Sequence, residues 1–82
     1  MINVRFFGII RLNSSMSSIN IEAKNVYDLI KSIAKQIDSI DHKLLCNSII
    51  FVNGTDIAQL KGFKTKLNPG DDVQFFSPVS GG

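Results

Sequence analysis

The sequence predicts an α+β fold, in which a mixed β-sheet has one main helix packed on one face. Alternating apolar and polar residues, typical of strands, occur near both ends of the chain, at residues 2–7 and 73–76. From Val26 onward the apolar residues instead recur at helical spacing. Strands that flank a single amphipathic helix can bury its apolar stripe, which is the α+β arrangement.

The first predicted strand is residues 2–7, INVRFF. Its even positions are apolar and its odd positions are polar, except for Phe7 at the outward end. The serine-rich stretch 11–18 predicts a polar hairpin loop. Alternation resumes at residues 19–22, INIE, which predict a second strand.

The predicted helix runs from Val26 to about residue 37. Asn25 is a favourable N-cap, and Asp28 places a carboxylate in the positive first turn. The apolar stripe consists of Val26, Leu29, Ile30, Ile33 and Ile37. Residues 38–43, DSIDHK, are expected to form an exit loop in which His42 is solvated.

The second half of the chain predicts two more strands. Residues 48–52, SIIFV, are rich in β-branched and aromatic residues and lead into the turn signal Asn53-Gly54. The last strand is residues 73–76, VQFF, and Pro78 stops further pairing.

Two connecting segments carry further expectations. In the irregular stretch 55–67, a short strand or helical turn is expected to pack its apolar residues against the core, and these are Ile57, Leu60, Phe63 and Leu67. Asn68-Pro69-Gly70-Asp71 is a turn by composition. Asp71 and Asp72 are therefore expected to cap and solvate this turn and not to serve as acid/base catalysts.

Composition excludes several functional classes. The formal net charge is +2 and the basic residues are scattered, which argues against a nucleic-acid partner. One cysteine and one histidine provide neither an internal disulfide nor a metal cluster. Cys46, in LLCNSII, is expected to be a small buried hydrophobe. With no Gly-rich phosphate loop and no catalytic constellation, the sequence does not predict an enzyme.

The sequence also indicates where in the cell the protein is expected. No apolar run approaches the roughly 20 residues that a membrane-spanning helix needs. No charged-then-apolar signal segment is present, so we expect a cytoplasmic protein without a membrane partner.

Several stretches resemble the ubiquitin-like β-grasp sulfur carriers, and among these the small subunits of molybdopterin synthases. The resembling residues are VRFFGIIRL at 4–12, the helix after residue 25, VNG at 52–54, and LNPGDDVQFFSPVSGG at 67–82. The terminal block, residues 67–82, is the part of the resemblance that is specific to this family. The chain departs from the family pattern at Ser77, where a second proline is common, and in the longer segment 55–67. The resemblance implies one β-grasp domain over residues 1–82, with 77–82 as a flexible, functional C-terminal tail.

The resemblance also implies a partner surface. In a β-grasp fold the first and last strands lie side by side and parallel, so Phe7 and Phe76 would meet at the same end of the sheet, away from the helix. Arg11 lies just beyond. Aromatic residues and arginine are enriched in interface hot spots, so we expect these three residues to contact a partner.

The same resemblance assigns chemistry to Gly82. An E1-like adenylyltransferase, which consumes ATP, would couple the Gly82 carboxylate to AMP, and a sulfurtransferase or other sulfur donor would convert it to a thiocarboxylate. The rest of the tail would thread this group into a partner, because glycine has no Cβ and proline limits the entropy lost on binding. The threading residues are Pro78, Val79, Ser80 and Gly81. The carrier itself would hold no cofactor and no metal.

The implied assembly is a heterotetramer with the large catalytic subunit of molybdopterin synthase, in which the sulfur builds the dithiolene of the cofactor. Other interpretations stay open at this point. The chain could carry sulfur for thiamine or another product, or it could be a protein modifier linked to lysines through Gly82. It could also be a plain interaction domain whose tail has no role.

Overall fold

A five-stranded mixed sheet with strand order β2-β1-β5-β3-β4 forms the framework of the computed structural model. The structure describes residues 1–8 and 17–77. The strands are β1 (Ile2–Phe7), β2 (Ser18–Ile21), β3 (Ile49–Val52), β4 (Thr55–Asp56) and β5 (Asp72–Phe76), and the helices are α1 (Val26–Gln36) and α2 (His42–Cys46). Two 3-10 turns, Ile57–Gln59 and Gly62–Lys64, follow β4.

The first and last strands form the centre of the sheet. β1 and β5 pair in parallel, from Asn3 opposite Asp72 to Phe7 opposite Phe76. β2 pairs antiparallel with β1, and β3 pairs antiparallel with β5. The predicted α+β fold, a ubiquitin-like β-grasp with one main helix, is confirmed.

The core lies between α1 and one face of the sheet. The even positions of β1 are buried, and the predicted helical stripe is buried at Val26, Leu29, Ile30 and Ile33. Val73 and Phe75 of β5 face the same core and are fully buried. Because side chains alternate along a strand, the odd positions of β1 lie on the opposite face, which no helix of the described residues covers.

The ends of α1 match the sequence signals. The Asn25 side chain accepts a hydrogen bond from the Asp28 N–H at 2.7 Å, and the Asp28 carboxylate accepts one from the Lys24 N–H at 3.0 Å. This reciprocal pair satisfies backbone donors at the helix start. The helix ends at Gln36, since the next residue, Ile37, is extended.

The exit loop predicted for residues 38–43 is wrong from His42 onward, because α2 begins there. Asp41 caps this helix by accepting a hydrogen bond from the Lys43 N–H at 3.1 Å, and Leu45 anchors it in the core. His42 is exposed as predicted, but it lies in a helix. Cys46 is only partly buried, packs against the core, and places its Sγ 3.6 Å from the His42 Nδ1.

The segment 55–67 follows the prediction in part. Ile57 and Leu67 are buried against the core, whereas Leu60 and Phe63 are 43% and 41% exposed, so their predicted burial is wrong. The chain changes direction at Leu60, after the first 3-10 turn, and at Gly62, which begins the second turn with φ +58°, so Leu60 and Phe63 do not face the core with Ile57.

The turn before β5 is held by Asp71. One carboxylate oxygen accepts a hydrogen bond from the Asn68 N–H at 2.8 Å, and the other accepts one from the Asn53 side-chain amide at 3.1 Å. The Asn53 side-chain oxygen in turn accepts from the Asp72 N–H at 2.9 Å. The predicted capping role of Asp71 is confirmed, and the turn after β3 is tied to the start of β5.

Candidate functional site

An apolar row crosses the uncovered face of the sheet at the end where β5 finishes. Phe7 lies opposite Phe76, and Phe76 lies opposite Ile49 on the next strand. Residues directly opposite one another project from the same face of a sheet. Phe51, two residues along β3, projects from this face as well. We call Phe7, Ile49, Phe51 and Phe76 the apolar end.

Ring packing organises the apolar end around Phe76. Its ring stacks on Phe7 with centroids 4.6 Å apart and planes 8° from parallel. Phe51 meets the same ring edge-on, with centroids 5.6 Å apart and an interplanar angle of 72°. Ile49 beside them is 51% exposed. Because the aromatic rings support one another, a partner would meet a surface that is already ordered.

The rest of the uncovered face is polar. In the neighbouring row Arg5 lies opposite Gln74, which has Phe51 of the apolar end on its other side, and the row beyond contains Asn3 opposite Asp72. The face therefore changes from polar to apolar along the strands. Its apolar part lies beside Ser77, where the C-terminal tail begins.

Two of the residues predicted to contact a partner lie together in the structure. The predicted meeting of Phe7 and Phe76 at one end of the sheet is confirmed. Arg11 and the tail residues 78–82 lie outside the described residues. Ile49 and Phe51 were not predicted, although the sequence contains a signal for them. In SIIFV, alternation puts Ile50 and Val52 in the core and leaves their neighbours for the other face.

The start of the tail is held against the end of β1. Ser77 is 4% exposed, and both its N–H and its hydroxyl donate to the Phe7 carbonyl, at 3.4 Å and 3.3 Å. A proline at this position would provide neither donor. Gly8, with φ +75°, lies so close that a Cβ on it would be 2.6 Å from the Ser77 Oγ. These contacts fix where the tail leaves the domain.

Gly8→Ala is expected to lower the free energy of unfolding by about 1–3 kcal/mol, since it adds steric conflict to a left-handed backbone. Gly54→Ala is the matched control, because Gly54 has φ +85° but no neighbouring atom within 4 Å of where its Cβ would lie. Urea unfolding of both variants measures the difference. Equal losses would show that the close approach of Ser77 to Gly8 contributes nothing.

The described part of the chain holds neither a metal cluster nor a membrane-spanning helix. Within 1–8 and 17–77, no group of three or more His, Cys, Asp or Glu residues could hold a metal ion. In the same ranges no helix is long and apolar enough to cross a membrane. Apolar and aromatic contact is what the apolar end offers chemically.

Comparison with solved structures agrees with the fold. The small archaeal modifier protein 1 from Methanosarcina acetivorans is 26% identical, with a TM-score of 0.86 over 99% of this chain and 95% of that chain. A chain in the complex of subunits 1 and 2 of molybdopterin-converting factor from Helicobacter pylori is 26% identical, with a TM-score of 0.69 over 99% and 97%. A chain of the BexX/CysO complex from Amycolatopsis orientalis is 19% identical, with a TM-score of 0.83 over the whole of both chains, and shows the fold alone.

Sequence comparison gives the family. A search of curated proteins found no match. The model of the ThiS family, however, matches residues 4–82, which include β1 from Val4 onward, the apolar end and the whole tail. The chain therefore belongs to the ThiS family, whose members are ubiquitin-like sulfur carriers.

Proposed function

We propose that this protein is the sulfur-carrying small subunit of a molybdopterin synthase. The observation that carries the proposal is the apolar end, which lies where β5 leads into a tail ending in Gly81-Gly82. An ordered apolar surface beside a reactive terminus suits a carrier that must dock before it delivers. The likeness to a chain in a complex of molybdopterin-converting factor subunits supports this choice of partner.

The proposed chemistry begins at the Gly82 carboxylate. A free carboxylate resists attack at carbon, because its charge and resonance repel nucleophiles. An E1-like adenylyltransferase joins it to AMP from ATP and releases pyrophosphate. A sulfurtransferase system then supplies sulfur at the oxidation level of hydrosulfide, which attacks the acyl carbon, displaces AMP and leaves a thiocarboxylate. ATP is consumed by the activating partner, and this chain acts as a carrier without catalytic side chains of its own.

Delivery depends on the reach of the tail. Gly82 is six residues beyond Phe76, so a fully extended tail spans at most about 20 Å. The large subunit that holds the pterin substrate must therefore bind the apolar end within that distance of its active site. In this arrangement Arg11 contacts the partner beside Phe7 and Phe76, and residues 78–81 thread towards the substrate. Two large and two small subunits form the proposed heterotetramer.

The test is the intact mass of the protein after incubation with ATP, its adenylyltransferase and a sulfur donor. We expect a gain equal to the replacement of one oxygen by one sulfur. Omission of ATP should prevent it, because the unactivated carboxylate does not exchange its oxygen. An unchanged mass, with the adenylyltransferase shown to be active on a known carrier, would contradict the proposal.

A second candidate function is conjugation to other proteins through Gly82. The likeness to the small archaeal modifier protein 1 favours it, at the same identity and with the higher TM-score. Both functions start with adenylation, so the products separate them. A modifier forms isopeptide-linked species of higher mass, whereas a carrier returns to its original mass after donating sulfur to a small molecule. A carrier for thiamine or another product would gain sulfur but would not bind the large subunit.

Phe76→Ser is expected to weaken binding to the large subunit about 30-fold or more, in the range of aromatic hot spots. The substitution removes the ring that contacts both Phe7 and Phe51. Tyr27→Ser is the matched control, because Tyr27 is a 52% exposed aromatic residue on α1, away from the uncovered face of the sheet.

Isothermal titration calorimetry of the two variants against the large subunit measures this effect, with circular dichroism to verify that each is folded. Wild-type affinity in Phe76→Ser, or an equal loss in Tyr27→Ser, would remove the apolar end from the interface.

A further inference from the structure

A second surface combines exposed apolar side chains with positive charge. It lies in the two 3-10 turns after β4 and just beyond them, and it consists of Leu60, Lys61, Phe63, Lys64 and Lys66, which we call the basic groove. Leu60 and Phe63 are 43% and 41% exposed, and the three lysines are exposed. Within residues 1–8 and 17–77, none of these lysines forms a salt bridge with a carboxylate. The groove is lined by Leu60 and all three lysines.

The backbone beneath the basic groove is held in place. Thr65, at its centre, is 8% exposed and accepts a hydrogen bond from the Lys61 N–H through its hydroxyl, at 3.1 Å. Its carbonyl accepts one from the Val26 N–H at 3.0 Å, at the start of α1. The Leu67 N–H donates to the Lys24 carbonyl at 3.0 Å. A partner would therefore bind this surface with little loss of backbone entropy.

The C-terminal side of the basic groove lies towards the end of the sheet opposite the row of Phe7 and Phe76. Its anchor at Lys24 comes just after β2, whose last residue, Ile21, pairs with Ile2 at the start of β1. The apolar end is at the other end of β1, where Phe7 pairs with Phe76. A ligand on this side of the groove would leave the row of Phe7 and Phe76 accessible.

We propose that the basic groove is a second docking surface, which binds an acidic protein segment carrying apolar side chains. Carboxylates would pair with the three lysines, and apolar side chains would cover Leu60 and Phe63. Each exposed ion pair contributes little binding free energy alone, so stable binding needs both the ion pairs and the apolar contacts. Such an occupant would hold the domain while the tail enters another site.

The composition of the groove favours an acidic protein segment over a nucleic acid or an anionic membrane as its ligand. The exposed aliphatic Leu60 has no role in backbone recognition of a nucleic acid, and the groove has no arginine for bidentate phosphate contacts. Three lysines provide too little attraction for stable attachment to an anionic membrane, at about 1 kcal/mol each. An acidic segment with apolar side chains matches both the three lysines and the two exposed apolar residues.

The test is an NMR titration of the isotope-labelled protein with a synthetic peptide of about 12 residues that alternates Glu and Leu. We expect amide shifts centred on residues 59–66 and affinity that falls as salt rises, because the pairs are exposed. A peptide with Gln in place of Glu should bind at least about tenfold more weakly.

Substitutions in the basic groove test whether the peptide binds there. Charge reversal in the groove should weaken peptide binding about tenfold or more, and so should removal of its apolar side chains. The same charge change elsewhere on the surface should have little effect on peptide binding. The groove variants are K61E/K64E/K66E and L60S/F63S, and the control is K31E/K35E/K43E, which alters three other exposed lysines. Deletion of Gly81-Gly82 should leave peptide binding unchanged, so this inference stands apart from the proposed sulfur chemistry.

Equal weakening in the groove and control variants would reduce the effect to net charge and overturn the proposal. So would tighter groove-dependent binding of a single-stranded oligonucleotide or of vesicles containing anionic lipid than of the acidic peptide.

Discussion

Deletion of Gly82 is expected to abolish the sulfur-dependent mass gain and to leave the fold intact. The deletion leaves a carboxylate on Gly81, but that group is up to about 3.6 Å short of the natural position. Reacting groups displaced by about 1 Å already lose on the order of 100-fold in rate. The fold should survive, because the buried hydrophobic core of the described residues lies between Ile2 and Phe75.

Intact mass after incubation with ATP, adenylyltransferase and sulfur donor measures the first part, and the thermal midpoint measures the second. Ser80→Ala is the control, because it changes the tail but keeps both the length and the terminal glycine. We expect it to gain sulfur. A mass gain in the deletion variant would show that the sulfur is attached elsewhere, and the role proposed for Gly82 would be wrong.

Local periodicity was enough to predict the elements that contain most of the core. β1 alternates over its whole length, and α1 has both a capping residue and an apolar stripe, so their bounds could be placed within about two residues. α2 has only five residues, too short for a periodic pattern, and the predicted exit loop includes its first two residues. The exposure of Leu60 and Phe63 depends on changes of chain direction that hydrophobicity does not encode.

Part of the candidate site could likewise be predicted from local sequence pattern, and part could not. Phe7 and Phe76 are outward-facing aromatics in their own strands, so alternation together with the β-grasp resemblance brought them together. Ile49 and Phe51 join them only because β3 pairs with β5 in a register that sets Ile49 opposite Phe76. That register is fixed by side chains distant in sequence, which is why a single strand pattern cannot reveal it.

The adjacent residues Phe75 and Phe76 are expected to give opposite results when each is changed to alanine. Phe75 is fully buried, with its ring 5.9 Å from that of Phe6, so Phe75→Ala should cost about 3–5 kcal/mol of unfolding free energy. A chain of 82 residues has only about 4–12 kcal/mol in total, so this variant should be close to unfolding. Phe76→Ala loses ring contacts on the uncovered face and should cost about 1 kcal/mol.

Urea unfolding measures the free energy of unfolding of both variants. An unchanged slope of that free energy against urea concentration shows that the two transitions are comparable. Binding to the large subunit gives the complementary result. Phe76→Ala should lose affinity while it stays folded, and any binding defect of Phe75→Ala should follow its loss of folded protein. Equal stability losses would mean that the two rings do not divide between core and surface, and the apolar end would then be part of the folding core and no longer a docking surface.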